Sequence, residues 1–520
     1  MAKRQGRTAA CRRLGGVIGM AAWVLAGCDG GRPATADLDA VPPQPTAKLS
    51  VLATGAGISG ANGLHFSPDG LLYVASVIGS EIVVLDPDSG EVRQRLTAAD
   101  GVEGPDDVAF APDGAFYWTS ILTGEVAGYT ADGRRVTAAR LTPGVNPLTF
   151  ADDGRLFVSQ CFFDDKLYEV DPAGERAPRL IADDLGPGCG LNGMDWGPDG
   201  RLYGPRWFRG EVVSFDVDSG ERRLEADGID VPAAVKFDSK GRLHVLDTGR
   251  GEVVRIDGDE HTVVARLTPG LDNIAFDDRD RLFVSSFTDG FVDRVEADGS
   301  LTELSPGGMA HPGGVTVLNR DGTSQVVVAD LHSIRGFDPA SGKATFTQRN
   351  ILGVGALGSA LSVAADGDNL ILASFTDNNV RVWDPVAEQT LARWNDLALP
   401  VSAIRYGPGI AVAVHGTGQV LLLQEDGQSV LAQGFEAPTG LATDGDSLYL
   451  TERARGQVLR IARGGSAMEP EVVAQGLEAP EGVAVLGDDL VVVEGETGRV
   501  LRLHDGSPVL LAAVSPGTPP

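Results

Sequence analysis

Five oxygen-bearing side chains recur at one position of a repeated motif. Asn62, Asp106, Asn146, Asn192 and Asp272 each stand two residues before the leading apolar residue of a short strand, at Leu64, Val108, Leu148, Met194 and Ile274. Equivalent positions of repeats set round an axis converge on it. A mixed set of amides and carboxylates suits a hard divalent cation, which takes about six to eight oxygens, and the cation would offset repulsion between the carboxylates. The same residues are also ordinary turn formers and ordinary linings of a wet polar channel. If a cation binds, Asp106 or Asp272 is the candidate to accept a proton from water. Three loops after second strands supply a candidate pocket: 160–163 with Gln160, 205–208 with Arg206, Trp207 and Phe208, and 286–289. Aromatics beside an arginine could hold a sugar ring or a carboxylate, or simply pack loop against loop. No Gly-x-Ser-x-Gly elbow is present, and the seven histidines are scattered.

The elements that must position these residues are legible as a repeat. Segments such as 62–76 (NGLHFSPDGLLYVAS), 106–120 (DDVAFAPDGAFYWTS), 146–160 (NPLTFADDGRLFVSQ), 192–206 (NGMDWGPDGRLYGPR), 233–247 (AAVKFDSKGRLHVLD) and 272–286 (DNIAFDDRDRLFVSS) share one layout. A short apolar strand meets a tight Asp-Gly or related turn and then a second strand. Asp-Gly supplies the positive φ angles of a hairpin, and third strands such as 81–86 (EIVVLD) are β-rich. Weaker copies begin near Gly313, Ser359, Ser402, Thr439 and Glu481. About eleven units of roughly 42 residues result, and no long helical pattern competes. A sheet that is apolar on both faces must stack on neighbours, so the expected class is an all-β propeller of about eleven four-stranded blades. The amide and carboxylate side chains of the column concentrate in the first six units, where only Ala233 interrupts them, whereas the last five hold Gly313, Ser359, Ser402, Thr439 and Glu481. That argues for a six-bladed ring over 48–305 and a five-bladed ring over 306–520, with seven plus four or one large ring as alternatives. Lys48–Thr54 reads as a leftover outer strand that could close a ring.

Charge bounds the partners. The chain has 520 residues and a formal charge of −29. Residues 1–27 carry five bases (Lys3, Arg4, Arg7, Arg12, Arg13) and no acid, so removing them leaves −34 on the rest. Such a surface repels nucleic acid and anionic lipid headgroups. It leaves small molecules, proteins and glycans as ligands. The basic start leads into an apolar run ending Leu25-Ala26-Gly27-Cys28. The run is too short for a comfortable membrane span. It reads as a bacterial lipoprotein signal peptide over 1–27, with Cys28 taking the lipid; an ordinary signal peptide with an incidental cysteine is the alternative. Residues 28–47 are Pro-rich and poor in large apolar groups, as in a flexible tether. The expected location is therefore outside the cytoplasm, with the protein anchored in the cell envelope by lipid alone.

The units at 62–76 and 192–206 resemble the gluconolactonase, senescence-marker-protein and luciferin-regenerating-enzyme-like family, together with NHL-type propellers. The resemblance spans residues 60–300 most clearly. It implies a six-bladed propeller with a divalent metal, often calcium, in its channel, and in several members hydrolysis of sugar lactones. The family ligands are one Glu, two Asn and one Asp, and by motif position Asn146, Asn192 and Asp272 match the last three. The Glu does not match. Glu103-Gly104-Pro105 has the family's residues, yet Glu103 lies three residues upstream of the column, which holds Asp106, and Glu481-Gly482 is in register only in the other half.

Two functions remain on the sequence: a binding scaffold for a small-molecule, protein or glycan ligand, and a metal-dependent hydrolase acting on a lactone or related ester. Of four cysteines, Cys11 leaves with the signal, Cys28 is lipidated, and Cys161 and Cys189 remain in an oxidising compartment. Blade order puts the end of the third unit's second strand beside the start of the fourth unit's inner strand, so these two could form a disulfide at the channel mouth; free buried thiols are the alternative. The lipid anchor yields a direct prediction. Cys28→Ser should abolish recovery of the protein in the membrane fraction, and a cleaved Cys28→Ser protein that still sediments with membranes would contradict the anchor.

Overall fold

The computed structural model describes residues 45–162, 164–186, 188–462 and 470–514. The signal segment, Cys28 and nearly all of the tether lie outside these. Among the described residues, forty-four strands, β1–β44 in chain order, form eleven antiparallel four-stranded sheets, each built from consecutive strands. No helix there is long and apolar enough to cross a membrane.

Blade 1 shows the local logic. It comprises β1 (Ala61–Phe66), β2 (Leu72–Ser76), β3 (Glu81–Leu85) and β4 (Val92–Leu96). Gly70 takes φ +84° in the turn between β1 and β2, a conformation that glycine reaches without a Cβ penalty. The middle strands are largely apolar on both faces and mostly buried, whereas β4 is mostly exposed. The inner strand carries a bulge. Ala61 pairs with Ser76 but Leu64 with Val74, so three residues on β1 oppose two on β2. The same shift recurs in β5 (Pro105–Phe110) and β21 (Leu271–Phe276). An extra residue changes side-chain parity, so the residue two before the leading apolar position and the residue one after it turn to the same side.

The sheets fall into two compact units. In the first, residues 55–311, the inner strands β1, β5, β9 (Val145–Phe150), β13 (Asp195–Trp196), β17 (Pro232–Phe237) and β21 pack neighbour on neighbour, and β21 returns to β1. This is a closed ring of six blades. Its seam is apolar: Leu64, Leu72 and Val74 of blade 1 pack with Ala275, Phe283 and Val292 of blade 6. The chain is also tied where it enters and leaves the ring, with the Ala56 N–H donating to the Met309 carbonyl at 2.9 Å and the Gly57 N–H to the Pro306 carbonyl at 3.1 Å.

The second unit, 312–520 with the segment just before Gly55, holds the other five sheets. Its inner strands are β25 (Val315–Arg320), β29 (Ser362–Asp366), β33 (Pro400–Tyr406), β37 (Pro438–Thr443) and β41 (Pro480–Leu486), each packed on the next. The segment 48–54, expected to be an outer strand closing a ring, is not a strand here. Every sheet already has four consecutive strands, so no sheet lacks an outer one. The segment instead belongs to the second unit, where the Thr46 and Ala47 N–H groups donate to Leu510 and Leu511 of β44 (Ser507–Ala513).

A close inner-strand approach lies at Gly63, where an added Cβ would fall 2.6 Å from Asp107 Cα and 2.9 Å from the Asp106 carbonyl oxygen. Those neighbours are backbone and cannot swing away. Gly63→Ala should therefore destabilise the first unit by about 1–3 kcal/mol. Urea unfolding followed by tryptophan fluorescence checks this, and an unchanged midpoint would contradict the close approach.

Candidate functional site

Column side chains take their positions from the blade-to-blade packing. Two are fixed through their own carbonyls by a hydroxyl on the second strand of the preceding blade. Ser285 of blade 6 donates to the Asn62 carbonyl at 2.6 Å, and Thr119 of blade 2 donates to that of Asn146 at 2.5 Å. The blade 5 hydroxyl of Thr248 holds the Leu271 carbonyl, next to Asp272, at 2.7 Å. At Asn192 this device is missing. Ser159 stands where Thr119 and Ser285 stand in their strands, but its buried hydroxyl has no partner among the described residues. In its place a disulfide joins Cys161 to Cys189, across 28 residues, with Cα atoms 4.0 Å apart. The loop before the two-residue strand β13 is thus pinned covalently to blade 3.

Asp106, Asn146 and Asn192 are buried, and Asp272 keeps partial solvent contact. Asn146 Nδ2 lies 3.4 Å from Asp106 Oδ2. Burial first, then the charges of Asp272 and Asp107, hold the Asp106 carboxyl well above the usual carboxylate range. Asp272 is pushed up to about 8 by burial and by Asp107. Asp106 belongs to blade 2 and Asp272 to blade 6. Blade 1 stands between them, so carboxylates that repel each other from these blades both face the axis. No basic side chain contributes to either shift. Asn62 sits in the column too, but its Oδ1 already accepts the Val77 N–H of its own blade at 3.2 Å.

A second polar level, which the column pattern did not reveal, lies along the same inner strands. Asp107 accepts the N–H groups of Val108 at 2.9 Å and Leu148 at 3.2 Å. Burial nevertheless raises its carboxyl to about 6, with Lys236 pulling the other way. Lys236 Nζ donates to the Met194 carbonyl at 3.1 Å and lies 3.9 Å from Asp195 Oδ1. Asp195 in turn accepts the Phe237 N–H at 2.8 Å. His65 is lowered to about 4, first by burial and then by the Lys236 charge. His65, Asp195 and Lys236 each follow the leading apolar residue of their strands by one, a register that could have been tabulated beside the first.

The expected pocket residues have other partners. Gln160 donates to the Thr142 carbonyl and hydroxyl at 3.1 and 2.7 Å. Arg206 is buried; its Nε donates to the Leu185 carbonyl at 2.9 Å and its Nη1 meets Glu211 at 3.0 Å. Trp207 is buried, and Phe208 lies against Gly188, where an added Cβ would fall 2.3 Å from the ring. These four brace the loops round the disulfide. Glu103 is exposed on the loop before β5, and Glu481, in the second unit, pairs with Arg453 at 2.7 Å.

Among the described residues, no group of three or more His, Cys, Asp or Glu gathers in a metal-binding arrangement. The carboxylates of Asp106 and Asp272 interact, and the amide of Asn146 lies beside Asp106. All are hard oxygen donors, and the mutual repulsion of the carboxylates is what a bound cation would relieve, so the residues fit a divalent ion of the calcium type.

No protein-family model matches the chain, and no curated protein matches it in sequence. Among solved structures, the chain is similar to a streptogramin B lyase (16% identity, 54% of this chain and 92% of that one, TM-score 0.39). It is also similar to a gluconolactonase from Xanthomonas campestris (20% identity, 50% and 93%, TM-score 0.38). A third is a luciferin-regenerating enzyme (14% identity, 45% and 85%, TM-score 0.37).

The raised carboxyls set a pH dependence. An aspartate titrates near 3.9 when unfolded and Asp272 near 8 when folded. Between these values the native state holds the extra proton, so stability in chelator should fall as pH rises from about 4 to about 8 and then level off. Asp272→Asn should flatten that slope. Thermal midpoints across this pH range in EDTA check the sign, and a wild-type midpoint that rises over the window would contradict it.

Proposed function

We propose that the six-bladed unit binds one hard divalent cation, calcium by its donor chemistry, at the mouth of its channel, and presents it to an oxygen-bearing small molecule or glycan end group at the cell envelope. The observation that carries this reading is the pair Asp106 and Asp272. Two carboxylates from non-adjacent blades are driven together at one level of the channel, and no basic side chain offsets either. Asn146 and Asn192 complete the donor set, and the disulfide beside Asn192 keeps the mouth rigid. The tether beginning at Cys28 would hold the ring near the membrane that the lipid enters.

A hydrolytic reading is favoured by the inequality of the two carboxylates. Asp106 is buried and suited to be a ligand only, whereas Asp272 reaches solvent and can take a proton from an attacking water. A bound cation would polarise a lactone or ester carbonyl and acidify water at that place. Arg206 is not placed to hold the ligand, because Glu211 and the Leu185 carbonyl occupy it.

A ligand that binds only the native state at a hundred times its dissociation constant stabilises by about 2.7 kcal/mol. Saturating calcium should accordingly raise the melting temperature of the first unit by roughly 5–10 °C. Asn192→Ala and Asp272→Ala should each erase most of that rise, and a shift that survives both would place the cation elsewhere. A screen of sugar lactones with and without chelator separates the two readings, since only the hydrolase shows calcium-dependent turnover.

A further inference from the structure

The loops that follow the second strands rim the mouth of the six-bladed channel, because antiparallel order puts the end of each second strand on the same face as the start of its inner strand. Each of the six second strands ends on a polar residue. Most of these polar groups are spent on bracing the loops. Ser76 donates to the Ser59 carbonyl at 2.7 Å and accepts the Gly79 N–H at 3.0 Å. Ser286 donates to the Gly270 carbonyl at 3.0 Å and accepts the Asp289 N–H at 3.1 Å. Asp247 accepts the N–H groups of Asp230 and Val231, each at 3.1 Å. Gln160 and Arg206 are engaged by Thr142 and by Glu211 with the Leu185 carbonyl.

Beyond these strand ends the rim turns apolar. Ile78, Leu122, Phe162 and Phe287 follow the second strands of blades 1, 2, 3 and 6 by one or two positions, and all four are half-buried. Ile78 and Phe287 converge from neighbouring blades over Gly60, two residues before Asn62. A Cβ added there would lie 3.0 Å from Ile78 Cγ1 and 3.1 Å from the Phe287 ring. Leu122 covers Gly104, two residues before Asp106, with its Cδ1 3.0 Å from the place of an added Cβ. Phe162 has φ +69° and is the only aromatic residue with positive φ among the described residues. That backbone is strained for any residue with a Cβ and persists only where the surroundings impose it. Here the Cys161–Cys189 bond and the Phe162 N–H, donating to the Gly188 carbonyl, impose it. Glycine would take the position without strain, yet the chain holds a phenyl ring there.

We propose that these four side chains form an apolar collar over the oxygen donors, and that the ligand is an amphipathic small molecule: a carboxylate, ester or lactone head on the cation, and an alkyl or aryl tail against Ile78, Leu122, Phe162 and Phe287. The inference rests on the cation site proposed above and narrows its ligand from a sugar or glycan end to a molecule with an apolar tail. The hydroxyls of a sugar would leave water for a rim where Ser76, Gln160, Arg206, Asp247 and Ser286 are already engaged, and a buried hydroxyl without a partner is unfavourable. An alkyl tail needs no partner, and its burial against the collar removes apolar surface from water on both sides.

The test uses the full mature chain bearing Cys28→Ser, which carries no lipid and needs no detergent. Acetate, octanoate and gluconate share a carboxylate head and differ in the rest, and titration calorimetry compares them in calcium and in EDTA. In calcium, octanoate should bind one per chain, at least tenfold tighter than acetate, with gluconate no tighter than acetate. Ile78→Ser and Leu122→Ser should each remove most of that advantage while the calcium-dependent rise in melting temperature stays. Phe162→Gly should remove it too without lowering the unfolding midpoint, because glycine relieves the backbone; a ring kept there only for packing would lower the midpoint when lost. Octanoate no tighter than acetate, gluconate tighter than octanoate, several octanoates per chain, or a preference that survives all three substitutions overturns the collar while leaving the calcium-dependent melting shift, and so the cation site, standing. A collar-dependent octanoate preference that persists in EDTA, with no melting shift from calcium, supports the collar and overturns the cation site instead.

Discussion

Each blade is a sheet whose middle strands are apolar on both faces, and no such sheet is stable in water alone. Everything else in the chain answers to that demand. The six sheets of the first unit and the five of the second pack on one another in series, and the first six close the series, because Phe283 and Val292 of the last find Leu64 and Val74 of the first. Closure brings six strand beginnings to one axis, and only then does the identity of the residue two before each leading apolar position matter. The polar chemistry is thus a by-product of apolar packing. Asp106 and Asp272 repel each other because Phe283 and Leu64 attract.

The channel answers its own crowding of acids in two ways. At the inner level Lys236 is a built-in cation, set between Asp195 and the Met194 carbonyl and felt by Asp107 and His65. At the mouth, among the described residues, no basic side chain contributes to the shift of Asp106 or Asp272. An internal ammonium fixes charge permanently, whereas a site without one is open to exchange with ions in solution.

Much of this was legible in the sequence, and what escaped did so for definable reasons. The Asp-Gly turns and their spacing mark the blades because positive φ angles restrict the residue type so sharply. The column of Asn and Asp stands out because the repeat aligns it, and the Cys161–Cys189 juxtaposition follows from antiparallel order within a blade. The inner level was hidden by the bulge, which puts residues three apart on one side and defeats a strict alternation of two. Arg206 and Gln160 read as pocket residues because the sequence shows a side chain's capacity and not its occupation. Glu211 and Thr142, which engage them, lie five and eighteen positions away. The fate of 48–54 could not be read at all, since strand propensity says nothing about whether a partner is present.

The hydroxyl grips have a consequence for how such a chain can grow. Donor and acceptor sit on opposite faces of one blade, so the interface is head-to-tail and contains no instruction to stop. A duplicated blade arrives able both to hold its successor and to be held by its predecessor. Gene duplication can therefore lengthen the series one unit at a time without redesigning any joint, and only geometry decides whether the two ends find each other. A chain of eleven copies, six of them closed into a ring and five in a second unit, is what such growth leaves.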